Sequence, residues 1–159
     1  MREKIDYRMN QATAFQISQH LRTCDTEFVQ ILNNRVSIDD YSIKIAENAV
    51  RFEAWSGGTL IGLVAMYCND EESHFAYITS VSLSNRCQGK GIASILIGQC
   101  IKYAVKLDMV QIGLEVRQEN AGAFKLYRKF GFEIDESDGP IIRMKCKLEA
   151  EIHEQRARL

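Results

Sequence analysis

One stretch, Val81–Ala93, constrains what this chain can fold into more than any other. It reads VSLSNRCQGKGIA and overlaps the end of a β-type run, Tyr77–Leu83. Gly89 and Gly91 stand one residue apart, and a periodic helical pattern begins directly after them. A strand, a glycine loop and a helix N-terminus together present unpaired backbone N–H groups to an anion. Because glycine also lets a phosphate approach the backbone closely, the sequence predicts a phosphate-bearing ligand held by the main chain.

Two common phosphate loops do not fit this stretch. The Walker pattern requires G-x-x-x-x-G-K-[ST], but Ser84 stands where its first glycine is needed and Lys90 is followed by Gly91. The dinucleotide pattern G-x-G-x-x-G fails because Ser94 occupies its third glycine position. The pattern that remains is R-x-x-G-x-G, from Arg86 to Gly91. A glycine-rich turn without a ligand is the alternative interpretation of so short a pattern.

Composition limits the classes of partner. The chain has 159 residues, of which 46% are hydrophobic, and 20 Lys and Arg stand against 21 Asp and Glu. This balance gives no basic footprint for nucleic acid and no polybasic membrane patch. No apolar run approaches the ~20 residues of a membrane span, and the polar start, MREKID, does not read as a signal peptide. We therefore expect a cytoplasmic protein with no nucleic-acid or membrane partner.

The cysteines do not predict a structural site. Cys24, Cys68, Cys87, Cys100 and Cys146 are odd in number and form no C-x-x-C pair, which argues against a disulfide framework or a zinc site. We expect no metal. Cys68 and Cys100 are predicted as small core residues. Cys87 lies inside the glycine loop, where we expect its backbone to matter; a nucleophilic thiol is the alternative.

Hydrophobic periodicity predicts a mixed sheet with flanking helices. The first helix is expected to face inward through four residues, Ala12, Phe15, Ile17 and Leu21. The predicted elements are, in chain order, a strand over Ile5–Met9, a helix over Gln11–Leu21, a helical turn over Phe28–Leu32, a helix over Ile38–Ala46, strands over Ala49–Trp55, Thr59–Cys68 and Phe75–Leu83, a helix over Ile92–Val105, a strand over Met109–Val116, a helix over Ala121–Lys129, and strands over Phe132–Ile134 and Ile141–Leu148.

The order of these elements predicts the topology. The strand Met109–Val116 follows Phe75–Leu83 through a helix, so the two should be parallel neighbours. Short links between the other strands imply antiparallel pairs. We expect one α/β (α+β) domain over residues 1–148, with a mixed, mainly antiparallel sheet and a central parallel pair. A charged tail, 149–159, follows it.

A second stretch supports the first. The segment Leu114–Asn120, LEVRQEN, is followed by AFKLYRKFGF, with the pairs Leu126-Tyr127 and Gly131-Phe132. Together with the R-x-x-G-x-G loop, it resembles the GCN5-related N-acetyltransferase (GNAT) family over roughly Thr59–Phe132. The part Leu114–Phe132 is also similar to ribosomal-protein alanine N-acetyltransferases. The resemblance implies the GNAT fold and an acetyl-CoA-dependent N-acetyltransferase that moves an acetyl group to a primary amine by direct attack on the thioester.

The resemblance also implies how acetyl-CoA is held. The pantetheine arm would lie along three strand residues, Val81, Ser82 and Leu83, as an added strand. The pyrophosphate would meet backbone N–H groups of the loop residues Cys87, Gln88, Gly89, Lys90, Gly91 and Ile92. Arg86 and Lys90 would add charge; the alternative is that either residue is only solvated. Asn120 is expected to cap the following helix and, by resemblance, to contact coenzyme A.

Acetyl transfer to an amine needs an acid and a base. The resemblance implies that Tyr127 protonates the leaving thiolate; the alternative is a core aromatic of its helix. A lysine-like amine, with a pKa of ~10.4, must lose a proton to attack. Glu115 is the candidate base, because a carboxylate in an apolar strand is expected to face a cleft. The alternative to a catalytic role is that Glu115 faces solvent or forms a salt bridge. His74, Glu72 or water would then compete for the role of base.

Two other functions remain open at the level of sequence. A non-catalytic acyl-CoA-binding domain would need neither Tyr127 nor Glu115, and a protein-interaction domain would not need the R-x-x-G-x-G loop. The acceptor is expected to be a small-molecule or peptide amine, bound by the segments Thr13–Ile45 and Ser137–Ile142, which carry no motif that identifies it. A homodimer is compatible with the sequence.

Overall fold

A computed structural model describes residues 4–24 and 37–148. The predicted turn over Phe28–Leu32 and the predicted tail, 149–159, lie outside these ranges. Within them the chain forms four α-helices and seven strands. The helices are α1 (Ala14–Arg22), α2 (Ile38–Asn48), α3 (Ile92–Lys106) and α4 (Ala121–Lys129). The strands are β1 (Asp6–Met9), β2 (Val50–Ser56), β3 (Thr59–Tyr67), β4 (Phe75–Leu83), β5 (Gln111–Arg117), β6 (Glu133–Asp138) and β7 (Ile141–Lys147).

The strands form one sheet in the order β1-β2-β3-β4-β5-β7-β6. Strands β4 and β5 are parallel, with Phe75–Tyr77 opposite Gln111–Gly113. The pairs β1–β2, β2–β3, β5–β7 and β6–β7 are antiparallel. This confirms the predicted mixed, mainly antiparallel sheet with an internal parallel pair. None of the helices in the described ranges has both the length and the apolar character that crossing a bilayer requires.

The chain groups into two compact units. Of the described residues, the first takes in 4–24, 37–66 and 80–97, and the second takes in 67–79 and 98–148. Fully buried side chains of the first unit include Ile17, Leu21, Ile45, Leu63 and Leu96. Those of the second include Ile112, Phe132 and Met144. Each unit therefore has apolar residues at its own centre.

Two apolar residues lie outside, against the predicted pattern. Phe15, predicted to face inward, is 70% exposed, whereas Ile17 and Leu21 are fully buried. Residues two positions apart point to nearly opposite sides of a helix, so the stripe through Ile17 and Leu21 turns Phe15 to solvent. Ile95 on α3, which belongs to the predicted helical pattern, is 45% exposed.

Strand β6 is longer than predicted. It continues through Ser137 and Asp138, and Asp138 pairs with Ile141, so the turn shortens to Gly139 and Pro140. All of the β6 residues are exposed. The sequence therefore carries no alternation of apolar and polar residues there, and periodicity could not show the strand.

A buried carboxylate joins β2 to the start of α1. The Glu53 side chain is fully buried, and its oxygens accept hydrogen bonds from the backbone N–H groups of Gln11 and Ala12 at 3.0–3.2 Å. They also accept from Trp55 Nε1 at 3.1 Å and from Arg51 Nε at 3.4 Å. Buried charges are tolerated when they are paired and hydrogen-bonded in this way.

Replacing this carboxylate should destabilise the fold. Glu53→Gln leaves Arg51 as an unpaired buried charge and turns an amide NH₂ group toward N–H donors. We expect the free energy of unfolding, measured by urea denaturation, to fall by about 3 kcal/mol. The control is Glu136→Gln, because Glu136 is 65% exposed in its pair with Arg143 and should change stability by less than about 1 kcal/mol. Equal effects of the two substitutions would contradict this assignment.

Candidate functional site

The glycine loop connects the end of β4 to the start of α3. After Leu83, a 3₁₀ turn spans Asn85–Cys87, closed by a hydrogen bond of 2.8 Å from Cys87 N–H to the Ser84 carbonyl. Helix α3 begins at Ile92. The N–H groups of its first turn have no partner within the helix by geometry. The predicted order of strand, loop and helix N-terminus is therefore confirmed.

Both loop glycines adopt a backbone conformation that favours glycine. The φ angle is +78° at Gly89 and +79° at Gly91. No atom lies within 4 Å of the place a Cβ would take at either residue, and the first turn of α3 holds no acidic side chain. Gln88 and Lys90 are exposed beside them. An anion can therefore approach the backbone here, so these residues fit a pyrophosphate.

Cys87 and Cys100 are buried, and Cys68 is partly buried. Cys87 is 1% exposed, so its sulfur points into the protein. Burial raises the pKa of the Cys100 thiol strongly, with a smaller contribution from Cys68, and burial also raises the pKa of the Cys68 thiol. Among residues 4–24 and 37–148, no group of three or more His, Cys, Asp or Glu side chains could hold a metal ion.

The second unit holds Tyr127 and Asn120 at the two ends of α4. The Asn120 side chain accepts a hydrogen bond from Ala123 N–H at 3.2 Å, which confirms its predicted capping role. Tyr127 is 5% exposed, and its ring lies 5.9 Å from that of Phe132. Burial raises the pKa of the Tyr127 hydroxyl far above its usual value. The hydroxyl therefore keeps its proton at neutral pH.

Glu115 lies on β5 in an ion pair rather than alone. Its Oε1 is 3.5 Å from Arg143 Nε, and its side chain is 32% exposed. Arg143 stands directly opposite on β7 and also contacts Glu136, with 3.4 Å between the nearest N and O atoms. This geometry is that of the salt-bridged glutamate that the sequence left open, and a role of Glu115 as the base stays a prediction.

The competing bases lie in an exposed turn. The Asp70 side chain accepts hydrogen bonds from the backbone N–H of Glu72 and Ser73 at 3.1 Å. His74 has a φ angle of +57° and is exposed, and its carbonyl accepts a hydrogen bond from Val110 N–H at 2.8 Å. His74 thus has a structural role in joining this turn to the start of β5.

Sequence reasoning missed His20. The residue lies on the buried stripe of α1 and is 2% exposed; its Nε2 is 2.9 Å from Ser82 Oγ. Burial lowers the pKa of His20 from 6.5 to about 4, against a smaller opposite effect of the backbone of Leu60 and Ser82. The available signal was its spacing, three residues after Ile17 and one before Leu21.

The family is shown by comparison with known proteins. The model of the acetyltransferase (GNAT) family matches residues 14–132, which include the glycine loop and helix α4. The chain belongs to the GNAT acetyltransferase family.

The chain also matches individual proteins over part of its length. The chain is 35% identical to an uncharacterized N-acetyltransferase of Methanocaldococcus jannaschii over 80 residues, which are 48% of this chain and 35% of that protein. The chain spans less than half the length of the curated relatives it matches.

Solved structures share the fold. One is the PaiA N-acetyltransferase of Thermoplasma acidophilum in complex with coenzyme A, with a TM-score of 0.76, 17% identity, and 91% of this chain and 99% of that chain covered. Another is the ribosomal-protein-S18-alanine N-acetyltransferase of Escherichia coli, with a TM-score of 0.73, 16% identity, and 92% and 95% covered. At these identities the likeness concerns the fold.

His20 should make stability depend on pH. Because its pKa is lower in the folded state, the unfolded chain gains the proton first as the pH falls below 6.5. The full contribution to stability is therefore present above pH 6.5 and is lost progressively toward pH 4. Between pH 7 and pH 4.5, the wild type should lose about 2 kcal/mol more than His20→Gln does in urea denaturation. If the free energy of unfolding fell equally with pH in both proteins, the lowered pKa of His20 would be refuted.

Proposed function

We propose that this protein is an acetyl-CoA-dependent N-acetyltransferase that acts on a primary amine. The observation that carries the proposal is the pair of left-handed glycines, Gly89 and Gly91, before α3, in a chain whose residues 14–132 match the GNAT family. The matched relative from Methanocaldococcus jannaschii is itself named an N-acetyltransferase, which supports the same chemistry here.

The backbone of the first unit holds the cofactor in this proposal. The pyrophosphate binds N–H groups from Cys87 to Ile92, where the helix dipole favours negative charge. Lys90 is exposed beside these groups and adds positive charge, as does Arg86. The pantetheine arm pairs with the backbone of Val81–Leu83. Asn120 adds a polar contact while it caps α4.

The reaction joins the amine nitrogen to the acetyl carbon. Bound acetyl-CoA supplies the acetyl group as a thioester. The C–N bond forms as the C–S bond breaks, the amine loses a proton, and the departing sulfur gains one. Tyr127, whose hydroxyl is protonated at neutral pH, donates the proton to the sulfur.

The base takes the proton from the amine. Glu115 is our candidate, provided that its pair with Arg143, at 3.5 Å and partly exposed, opens when the acceptor binds. His74, Glu72 or a water molecule are the alternatives. The acceptor is a small-molecule or peptide amine, and the location of the reaction is cytoplasmic.

Two measurements in order test this proposal. Titration with coenzyme A by calorimetry should show saturable binding, and release of free thiol from acetyl-CoA should then accelerate with at least one member of a panel of amines. The panel contains peptides with free N-termini, polyamines, amino acids and amino sugars. Absent binding would point to a protein-interaction domain. Binding with no thiol release across the panel would favour a non-catalytic acyl-CoA-binding domain.

A side chain at Gly89 should abolish cofactor binding. Gly89→Val places a branched side chain in the open space that the pyrophosphate needs and strains a backbone with φ +78°. Binding of coenzyme A should become undetectable by calorimetry. Gly57→Val is the matched control, because Gly57 has φ +59° and equally open surroundings in the β2–β3 turn. Normal binding by Gly89→Val would rule out the loop as the pyrophosphate site.

Removing the Tyr127 hydroxyl should slow transfer and leave binding intact. Tyr127→Phe keeps the ring against Phe132 but removes the proton donor, so kcat should fall roughly 10²-fold or more. The Kd for coenzyme A should change by less than about twofold. Tyr7→Phe on β1 serves as the control and should leave kcat unchanged. Wild-type kcat in Tyr127→Phe would remove Tyr127 from the mechanism.

A further inference from the structure

We propose that the last turn of α1 positions the cofactor-binding backbone, with His20 and Thr23 as positioning residues. His20 acts on β4 through Ser82, and Thr23 acts on the glycine loop through Ser84. We name these side chains, His20, Thr23, Ser82 and Ser84, the polar clamp. The inference rests on the proposed function, because it concerns the strand and loop that would hold coenzyme A.

The first contact of the clamp is buried. His20 Nε2 lies 2.9 Å from Ser82 Oγ, and the two residues are 2% and 6% exposed. A hydrogen bond shielded from water is stronger than an exposed one. Ser82 lies between Val81 and Leu83, so fixing its side chain restrains the backbone along which the pantetheine arm would lie.

A histidine side chain is unusual at this position, because the position is buried. His20 follows Ile17 on a buried stripe, and in the described part of the chain its Nδ1 has no hydrogen-bond partner. A buried polar atom without a partner lowers stability. An apolar residue would avoid that cost. The contact of Nε2 with Ser82 Oγ is a hydrogen bond that an apolar residue would not make.

The second contact reaches the loop. Thr23 Oγ1 lies 3.0 Å from Ser84 Oγ, and the Thr23 carbonyl accepts a hydrogen bond from Asn85 N–H at 3.4 Å. The Ser84 carbonyl in turn accepts from Cys87 N–H at 2.8 Å, which closes the 3₁₀ turn. Holding Ser84 thus fixes the first turn of the glycine loop relative to α1.

The two contacts have one consequence for binding. They hold β4 and the loop in place before a ligand arrives, so less conformational entropy is lost when the ligand binds. Because both contacts are already made in the free protein, we expect the clamp to influence the affinity for coenzyme A as well as the stability of the fold.

Substitutions at His20 distinguish the contribution of its Nε2 from that of its Nδ1. His20→Gln places an amide near the position of Nε2 and can still reach Ser82 Oγ. His20→Asn places its amide near the position of Nδ1 and is too short to reach it. His20→Leu has neither. The Kd for coenzyme A, measured by calorimetry, should stay within about twofold of wild type in His20→Gln and rise roughly five- to tenfold in the other two, the size of one hydrogen bond.

Thr23 gives a second arm of the same experiment. Thr23→Ser keeps the hydroxyl that faces Ser84 and should bind coenzyme A like the wild type. Thr23→Val is nearly the same shape without the hydroxyl and should weaken binding about as much as His20→Asn. Ser42→Ala is the matched control, because Ser42 is fully buried but its hydroxyl bonds Ile38 O within α2.

The outcomes separate this inference from the proposed function. If wild type does not bind coenzyme A, the proposed function fails. If wild type binds and the Gln and Asn variants at His20 bind equally well, or equally poorly, the positioning role of His20 is wrong. Thermal unfolding of each variant is measured in parallel. The inference would also be overturned if Ser42→Ala and the clamp variants lost affinity for coenzyme A in the same proportion to their loss of Tm.

Discussion

The buried carboxylate of Glu53 is the interaction on which the arrangement of the first unit depends. It lies on β2 and accepts hydrogen bonds from the amides of Gln11 and Ala12, the two residues just before the capping residue of α1, Thr13. Arg51 neutralises it and also donates to the Ala12 carbonyl at 3.1 Å. Hydrogen bonds from several directions leave a buried charge few alternative positions, so the start of α1 is fixed against the sheet.

The fixed start of α1 determines where its last turn lies. The helix is nine residues long, about two and a half turns, so its orientation at Thr13 carries through to His20 and Thr23. These residues meet Ser82 and Ser84, at the end of β4 and the beginning of the glycine loop. A set of polar contacts thus connects the first residues of the domain with the backbone that we propose holds coenzyme A.

Local patterns predicted most of the fold. Strand β4, helix α4 and the start of α3 at Ile92 agree with the prediction because their periodicity is strong and their ends carry turn and capping residues. Strand β6 was predicted too short, since all of its residues are exposed. Phe15 was predicted inward, yet it is 70% exposed, because an apolar residue on a helix does not by itself identify the buried side.

The sequence by itself determined the glycine loop and the helix after it, since the conformational freedom of Gly89 and Gly91 and the unpaired N–H groups of a helix start are local properties. It also determined the cap at Asn120. Only the tertiary structure decided that Glu115 lies opposite Arg143 on the neighbouring strand. The same holds for the contact of His20 with Ser82, sixty-two residues away. Such contacts depend on which strands become neighbours and on how a helix is rotated, and no short stretch of residues carries that information.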